Sequence, residues 1–273
     1  MLFADRSRGL SRAYARSPRR APLRHQPERN LARHAVELIS PDGWLDATDY
    51  NEGGDGAVQT MTMRYGTASQ STASKRPVFD HDGWASDGGA CLVFDGVDDC
   101  FECGTSIDIG GDTQFLIIGA CNATDTGTTG VIWEYTTQAT ALNGAYIAFR
   151  TDAGNYHPFA VCGDTVSYAG SYLSGAHDGT DGLLTSQQDR GAGTQLLQTN
   201  ADWDGTPHDT ANGVGTASGS YAAGQSSWIG ARNNGASLPF GGRLRSLLVK
   251  KGAVNVDQTA TVKKAMRWQA RIL

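Results

Sequence analysis

From residue 76 onward the chain is a succession of short apolar runs, each broken by turn residues. Candidate strands fall at 76–80, 90–95, 97–103, 113–121, 130–136, 144–150, 157–162, 165–173, 182–187, 194–199, 226–232 and 240–251. Asp95-Gly96, Asn143-Gly144, Asp152-Ala153-Gly154 and Asn234-Gly235 supply the turn chemistry between them. Many short strands with no intervening helical period predict a two-sheet antiparallel sandwich. Gln114 to Gly119 is apolar on both faces and predicts a central strand. Cys91 to Glu102 reads as two runs meeting in a tight Asp95-Gly96 hairpin, with Asp98 and Asp99 interrupting the second run. Val36, Leu38 and Ile39 make a short alternating run, and Val58 to Tyr65 alternates strictly, which suits an edge strand or one that pairs with another subunit. From Asp257 to 271 the period changes to a helical one. Val262, Ala265, Met266 and Trp268 lie on one face and Lys263, Lys264, Arg267 and Arg271 largely on the other, with Asp257 as N-cap.

Two motifs carry a resemblance. Leu92-Val93-Phe94-Asp95-Gly96-Val97-Asp98-Asp99 is similar to a signature of concanavalin A-like, laminin-G-like jelly-roll domains. Trp228-Ile229-Gly230-Ala231-Arg232, followed by Phe240-Gly241-Gly242-Arg243-Leu244 and the run to Val249, resembles the closing pattern of the same family. One departure is Cys100, where the family usually has Tyr. The resemblance spans about residues 76–270 and implies the fold: an all-β, concanavalin A-like jelly roll with an extended N-terminal arm and a short C-terminal helix. It does not select a function, because such jelly rolls include glucanases, lectins and structural modules. Modules with simple extensions of this sort resemble those on bacteriophage particles, as head decorations, fibres or tail adhesins.

Charge divides the chain. The net charge of −5 hides +7 over residues 1–34, −19 over 35–242 and +7 over 243–273. The first segment carries nine Arg, among them Arg12, Arg16, Arg19, Arg20 and Arg24, and its Pro18, Pro22 and Pro27 argue against one long helix. The predicted organisation is an extended anchoring arm over 1–34, a linker and edge-strand segment over 35–75, and the sandwich with its helix over 76–273. Guanidinium groups pair bidentately with carboxylates, so the arm suits an acidic protein surface: its own body, another copy, or another particle protein. No stacking aromatics or groove-reading motif accompany it, which argues against nucleic acid. The N-terminus lacks the apolar stretch of a secretory signal, and no window is long and apolar enough to span a membrane, so the reading is a virion component made in the host cytoplasm.

Candidate chemistry is sparse. The five Glu residues (28, 37, 52, 102 and 134) include no Glu-x-Asp-x-x-Glu pattern of the laminarinase-type relatives, and Glu134 has no acidic partner two or four residues on. His157, His177 and His208 stand in separate predicted loops without a nucleophile elbow. The five Cys residues show no framework or zinc spacing and read as small buried hydrophobes. Asp98 and Asp99, or the 202–204 loop, are the places for a Ca²⁺ ion of the kind laminin-G-like relatives carry; the competing reading is that Asp-Gly pairs simply make turns. Residues 200–225 form the longest stretch poor in large apolar side chains. There Trp203 between Asp202 and Asp204 suits a sugar-stacking platform, with Asn233 and Asn234 as readers of hydroxyls, whereas Trp84, Trp133 and Trp228 read as core. The expectation is a non-enzymatic bacteriophage structural protein presenting a lectin-like sandwich to host-surface glycans. The alternatives are a stand-alone carbohydrate-binding domain and a degraded polysaccharide hydrolase.

Overall fold

A computed structural model describes residues 26–50, 55–135, 144–152, 155–163, 168–172, 179–198, 211–212 and 220–272. In chain order its first strands are β1 (Gly43–Asp46), β2 (Gly56–Ala57), β3 (Thr60–Thr62), β4 (Thr67–Ser69), β5 (Val78–Trp84), β6 (Gly89–Asp95), β7 (Phe101–Gly104), β8 (Gln114–Ala123) and β9 (Gly130–Tyr135). They continue as β10 (Ala145–Asp152), β11 (Asn155–Gly163), β12 (Tyr168–Tyr172), β13 (Asp181–Asp189), β14 (Thr194–Gln198), β15 (Ala211–Asn212), β16 (Ser227–Ile229) and β17 (Gly241–Lys251). Helix α1 (Gln26–Glu37) precedes them and α2 (Val256–Gln269) follows.

The first sheet runs β14-β13-β8-β17-β6-β5-β2, with β1 paired to the far half of β17. The second runs β15-β12-β11-β10-β9-β16-β7-β4-β3. The chain changes sheet between β2 and β3, β4 and β5, β6 and β7, β7 and β8, β8 and β9, β12 and β13, β14 and β15, and β16 and β17. This repeated crossing is the jelly-roll sandwich, and it buries one apolar interior between the sheets. Phe94, Phe101, Phe115, Trp133, Ile147, Ile229, Phe240 and Leu247 all lie in it. Strand β8, apolar on both faces, is central between β13 and β17. Its second face meets another apolar layer in which Leu116, Ile118 and Leu248 pack against Val36 and Ile39 and against Val262 and Met266 of α2. Both helices therefore pack on the outer face of the first sheet.

Four expectations need correcting. Residues 26–34, predicted as extended arm, belong to α1. Pro27 sits in the first turn, where a missing N–H costs nothing, and Ala32, Val36 and Ile39 recur at helical rather than strand spacing, which leaves Leu38 65 % exposed. Polar clasps reinforce the docking: Arg33 bonds Asp49, and Arg64 bridges Glu37 and Asp49 at 3.0 Å each. The run from Cys91 to Glu102 is not a hairpin. Strand β6 pairs with β5 and β17, whereas β7 pairs with β4 and β16, so Asp95 to Cys100 is a corner between sheets. Asp-Gly chemistry serves a corner as well as a hairpin, and Gly96 takes the positive φ of +77° here. Helix α2 starts from Asn255, whose side chain and that of Gln258 form a reciprocal capping box; Asp257 is only a first-turn residue. His157, placed in a loop, lies in β11 and is buried.

Candidate functional site

The outer face of the second sheet is where unlike side chains are brought into line. Strand register sets the row: Val161 on β11 pairs with Tyr146 on β10, Tyr146 with Glu134 on β9, Glu134 with Trp228 on β16, and Trp228 with Glu102 on β7, followed by Ser69 and Thr60. A bulge in the β9–β10 pairing lets Val131 and Glu134 share the outer face while Ile132, Trp133 and Tyr135 face the interior. Tyr146, Ala148, Phe159, Val161 and Val131 form an apolar cluster on this face, with Leu238 against it. Trp228, predicted as core, is half-buried: its neighbour Ile229 takes the interior position, and strand alternation turns the indole outward between two glutamates.

Arg232 completes the row. Its Nε donates to both oxygens of Glu134 at 3.0 and 2.8 Å, and its guanidinium lies 5.2 Å from the Tyr146 ring centre. Glu134 is fully buried and Arg232 only 11 % exposed at the side chain, so the pair is largely dry. Burial also pushes the Tyr146 hydroxyl up to about 12, so it stays protonated. The Nη2 of Arg232 is buried and has no hydrogen-bond partner.

The backbone holding Arg232 is fixed from several sides. Its N–H donates to Ser237 O at 2.9 Å, Lys75 Nζ donates to Asn234 O at 2.7 Å, and Gln70 Nε2 donates to Asn234 Oδ1 at 3.1 Å. Asn233, Asn234 and Gly235 all take positive φ, and a Cβ on Gly235 would collide with the Asp98 carbonyl. The two sequence motifs thus meet in space: β6 pairs with the start of β17, and the 232–237 turn sits on the aspartate corner.

That corner gathers Asp95, Asp98 and Asp99, with one carboxylate oxygen of each within 4.8 Å of the others. Asp95 Oδ1 accepts from Val97 N at 2.8 Å, and Asp99 Oδ2 accepts from Asp95 N at 2.9 Å. Burial, joined by the charges of Asp95 and Asp98, raises Asp99 to about 6 even though it accepts that backbone bond. Hard oxygens in this arrangement fit a Ca²⁺ ion chemically, while the backbone bonds show the same aspartates also building the turn.

The predicted site residues distribute as follows. Asp98 and Asp99 come together, and Asp95 joins them. Asn233 is exposed beside Arg232, while the side chain of Asn234 is spent on Gln70. Asp202, Trp203 and Asp204, and Arg12, Arg16, Arg19, Arg20 and Arg24, lie outside the described residues, as do His177 and His208. Arg232, Tyr146 and the outward Trp228 were missed. The signal available was strand alternation, which sets Glu134 opposite Trp133 and Tyr135. Glu134 and Glu102 flank Trp228 two strands apart, about 10 Å by inter-strand spacing, but both Glu134 oxygens are bound by Arg232. All five cysteines are free and buried. No helix among the described residues is long and apolar enough to cross a membrane.

No family model matches the chain, and no curated protein matches it. Solved structures do. A heptameric SAP-like pentraxin from Limulus polyphemus is 16 % identical, over 63 % of this chain and 80 % of its own, with a TM-score of 0.48. Domain 4 of the GH43 arabinanase AbnA from Geobacillus stearothermophilus, in complex with arabinotriose, is 14 % identical over 81 % and 86 %, with a TM-score of 0.46. The CBM40 of the Ruminococcus gnavus IT-sialidase, bound to α2,3-sialyllactose, is 14 % identical over 56 % and 83 %, with a TM-score of 0.44. These identities are too low to carry a residue's role from one chain to another.

Proposed function

We propose that this protein is a non-enzymatic, lectin-like sandwich that binds glycans on the outer face of its second sheet. The observation that carries the reading is the Tyr146–Glu134–Trp228–Glu102 row with Arg232 laid across it. Sugar recognition needs an apolar platform for C–H faces and fixed polar groups for hydroxyls, and this row supplies an indole, a buried ion pair and exposed Asn233 on rigid elements. Among the described residues, the outer face of the first sheet around Leu116, Ile118 and Leu248 is instead packed under α1 and α2. The neutralised Glu134 argues against a hydrolase, because a general acid and base both need free carboxyl oxygens. A glycan array probed with the full chain and with Trp228→Ala tests the reading: array signals that depend on Trp228 support it, and release of reducing sugar from the same glycans would replace it with the hydrolase reading.

The finer reading is that the sandwich faces outward from a bacteriophage particle, as a head decoration, fibre or tail adhesin, with the basic N-terminal segment as its anchor. The opposition of +7 over residues 1–34 and −19 over 35–242 supports it. Because α1 is built into the body, the anchoring piece is residues 1–25. Particles assembled with a chain lacking 1–25 should lose the protein; full occupancy would exclude the anchor, and a stand-alone glycan-binding domain would then be the better description.

A further inference from the structure

We propose that the ligand of this face is an amino sugar, whose ammonium group lies against the Trp228 indole and pairs with the Glu102 carboxylate. The inference rests on the glycan-binding reading and goes beyond it to the ligand's chemical class and the residue that selects it. Trp228 on β16 and Glu102 on β7 are register partners. Both point to the outer face, since Ile229, Phe101 and Cys103 take the interior positions. Cross-strand partners hold their Cβ atoms about 5 Å apart, so one pyranose ring reaches both side chains. An indole face attracts a cation through its quadrupole, and a carboxylate makes with an ammonium group a stronger hydrogen bond than with a hydroxyl. Glu102 is exposed and, among the described residues, has no hydrogen-bond or ion-pair partner. Beyond it the row continues through exposed Ser69 and Thr60. A ligand that carries an ammonium group and ring hydroxyls together matches this order of groups, whereas a lysine or arginine side chain leaves the hydroxyl end of the row unused.

The protein's own cations do not take this place. Arg232 is closed between Glu134 and the Tyr146 ring and has no part in binding. Lys75 Nζ donates to Asn234 O at 2.7 Å, and the Arg76 guanidinium donates to Gln70 O and Ser71 O at 2.9 Å each. Arg150, on the same face, lies over the Phe159 ring at 5.4 Å. It stands four residues along β10 from Tyr146 and three strands from Glu102, roughly 20 Å by strand rise and spacing. That exceeds the Debye length of about 8 Å at physiological salt, so Arg150 does not balance Glu102. The −19 carried by residues 35–242 adds a field that favours a cationic ligand.

The test titrates the full chain by calorimetry, at about pH 6, with β-1,4-linked glucosamine oligomers and their N-acetylated counterparts of equal length. Acetylation removes the charge and keeps the ring. The amino oligomer should bind more tightly than the acetylated one by at least about fivefold, and added salt should narrow the gap. Glu102→Gln, an exposed substitution that leaves the core untouched, should abolish the preference while the acetylated oligomer binds as before; Trp228→Ala should weaken both. Amino-oligomer binding that Glu102→Gln leaves unchanged is attraction to the acidic body at large and would overturn the inference. Equal binding of the two oligomers with Trp228 dependence would also overturn it and leave the glycan-binding reading standing. A peptide of residues 1–25 that binds through Glu102 and Trp228 where the amino oligomers do not would give the site to the basic arm instead. Absence of any saccharide binding, across the array and both oligomers, would overturn both readings together.

Discussion

The Arg232–Glu134 pair gives the sharpest stability prediction. Replacing Arg232 with Met keeps the stem volume over Tyr146 but leaves the Glu134 carboxylate fully buried without the two bonds of 3.0 and 2.8 Å. Breaking a buried pair by removing one partner costs about 3–5 kcal/mol, and the low end applies because Glu134 has interactions besides Arg232. For a domain of this size about 3 kcal/mol lowers Tm by roughly 10 °C. Replacing both residues with Met removes the stranded charge along with its partner, so the double variant should recover most of the loss and leave a coupling energy of about 2–3 kcal/mol. Urea unfolding of wild type, both single variants and the double variant at pH 7 measures the cycle. A single-variant loss below about 1 kcal/mol, the range of an exposed pair, would refute the claim that this face is dry around Glu134.

Three further predictions follow from other parts of the fold. Asp99 is raised to about 6, so the folded state holds its proton more tightly than the unfolded chain and stability falls as pH rises from about 4 to 6; at about 1.4 kcal/mol per unit, Asp99→Asn should gain up to roughly 3 kcal/mol on wild type across that window. A flat difference curve in pH-dependent urea unfolding would show that Asp99 titrates normally, and repeating the pair at pH 7 with calcium would show an ion at the corner as a gain that Asp99→Asn abolishes. Deleting residues 1–25 should leave Tm within a few degrees, whereas deleting 1–37 removes Ala32 and Val36 from the helical layer and should cost several kcal/mol by the usual burial arithmetic; equal Tm values in thermal scans would contradict the docked helix. The four thiols Cys91, Cys100, Cys103 and Cys121 are pushed by burial to about 11 or 12, so a thiol reagent at pH 8 should react only on unfolding, and rapid labelling of the native protein would place them elsewhere.

Strand positions were legible because alternation survives wherever one side of a strand is buried, and β8 announced its centrality by being apolar on both sides. What failed was pairing. Asp95-Gly96 has the chemistry of a tight turn, and nothing local distinguishes a turn that returns to the same sheet from one that crosses to the other. Strand β1 was missed because Trp44 and Leu45 are too short a run to show a period, although Trp44 is buried in the layer under the helices and Leu45 in the interior between the sheets. Helix α1 was hidden by proline-based reasoning applied to the whole arm, when Pro27 is tolerated at a first turn. The ligand row was the least legible. Glu134 and Arg232 lie far apart in sequence and meet only through the β9–β16 register, and Trp228 resembles a core residue because its neighbours on both sides are buried.

The most direct measurement of the central claim is binding of the full chain to a broad glycan array, side by side with Trp228→Ala and with a control at an exposed residue of the first sheet, Val78→Ser. The account predicts defined glycan signals that Val78→Ser retains and Trp228→Ala loses. Equal signals from all three proteins, or none from the wild type, would contradict a glycan site on the outer face of the second sheet.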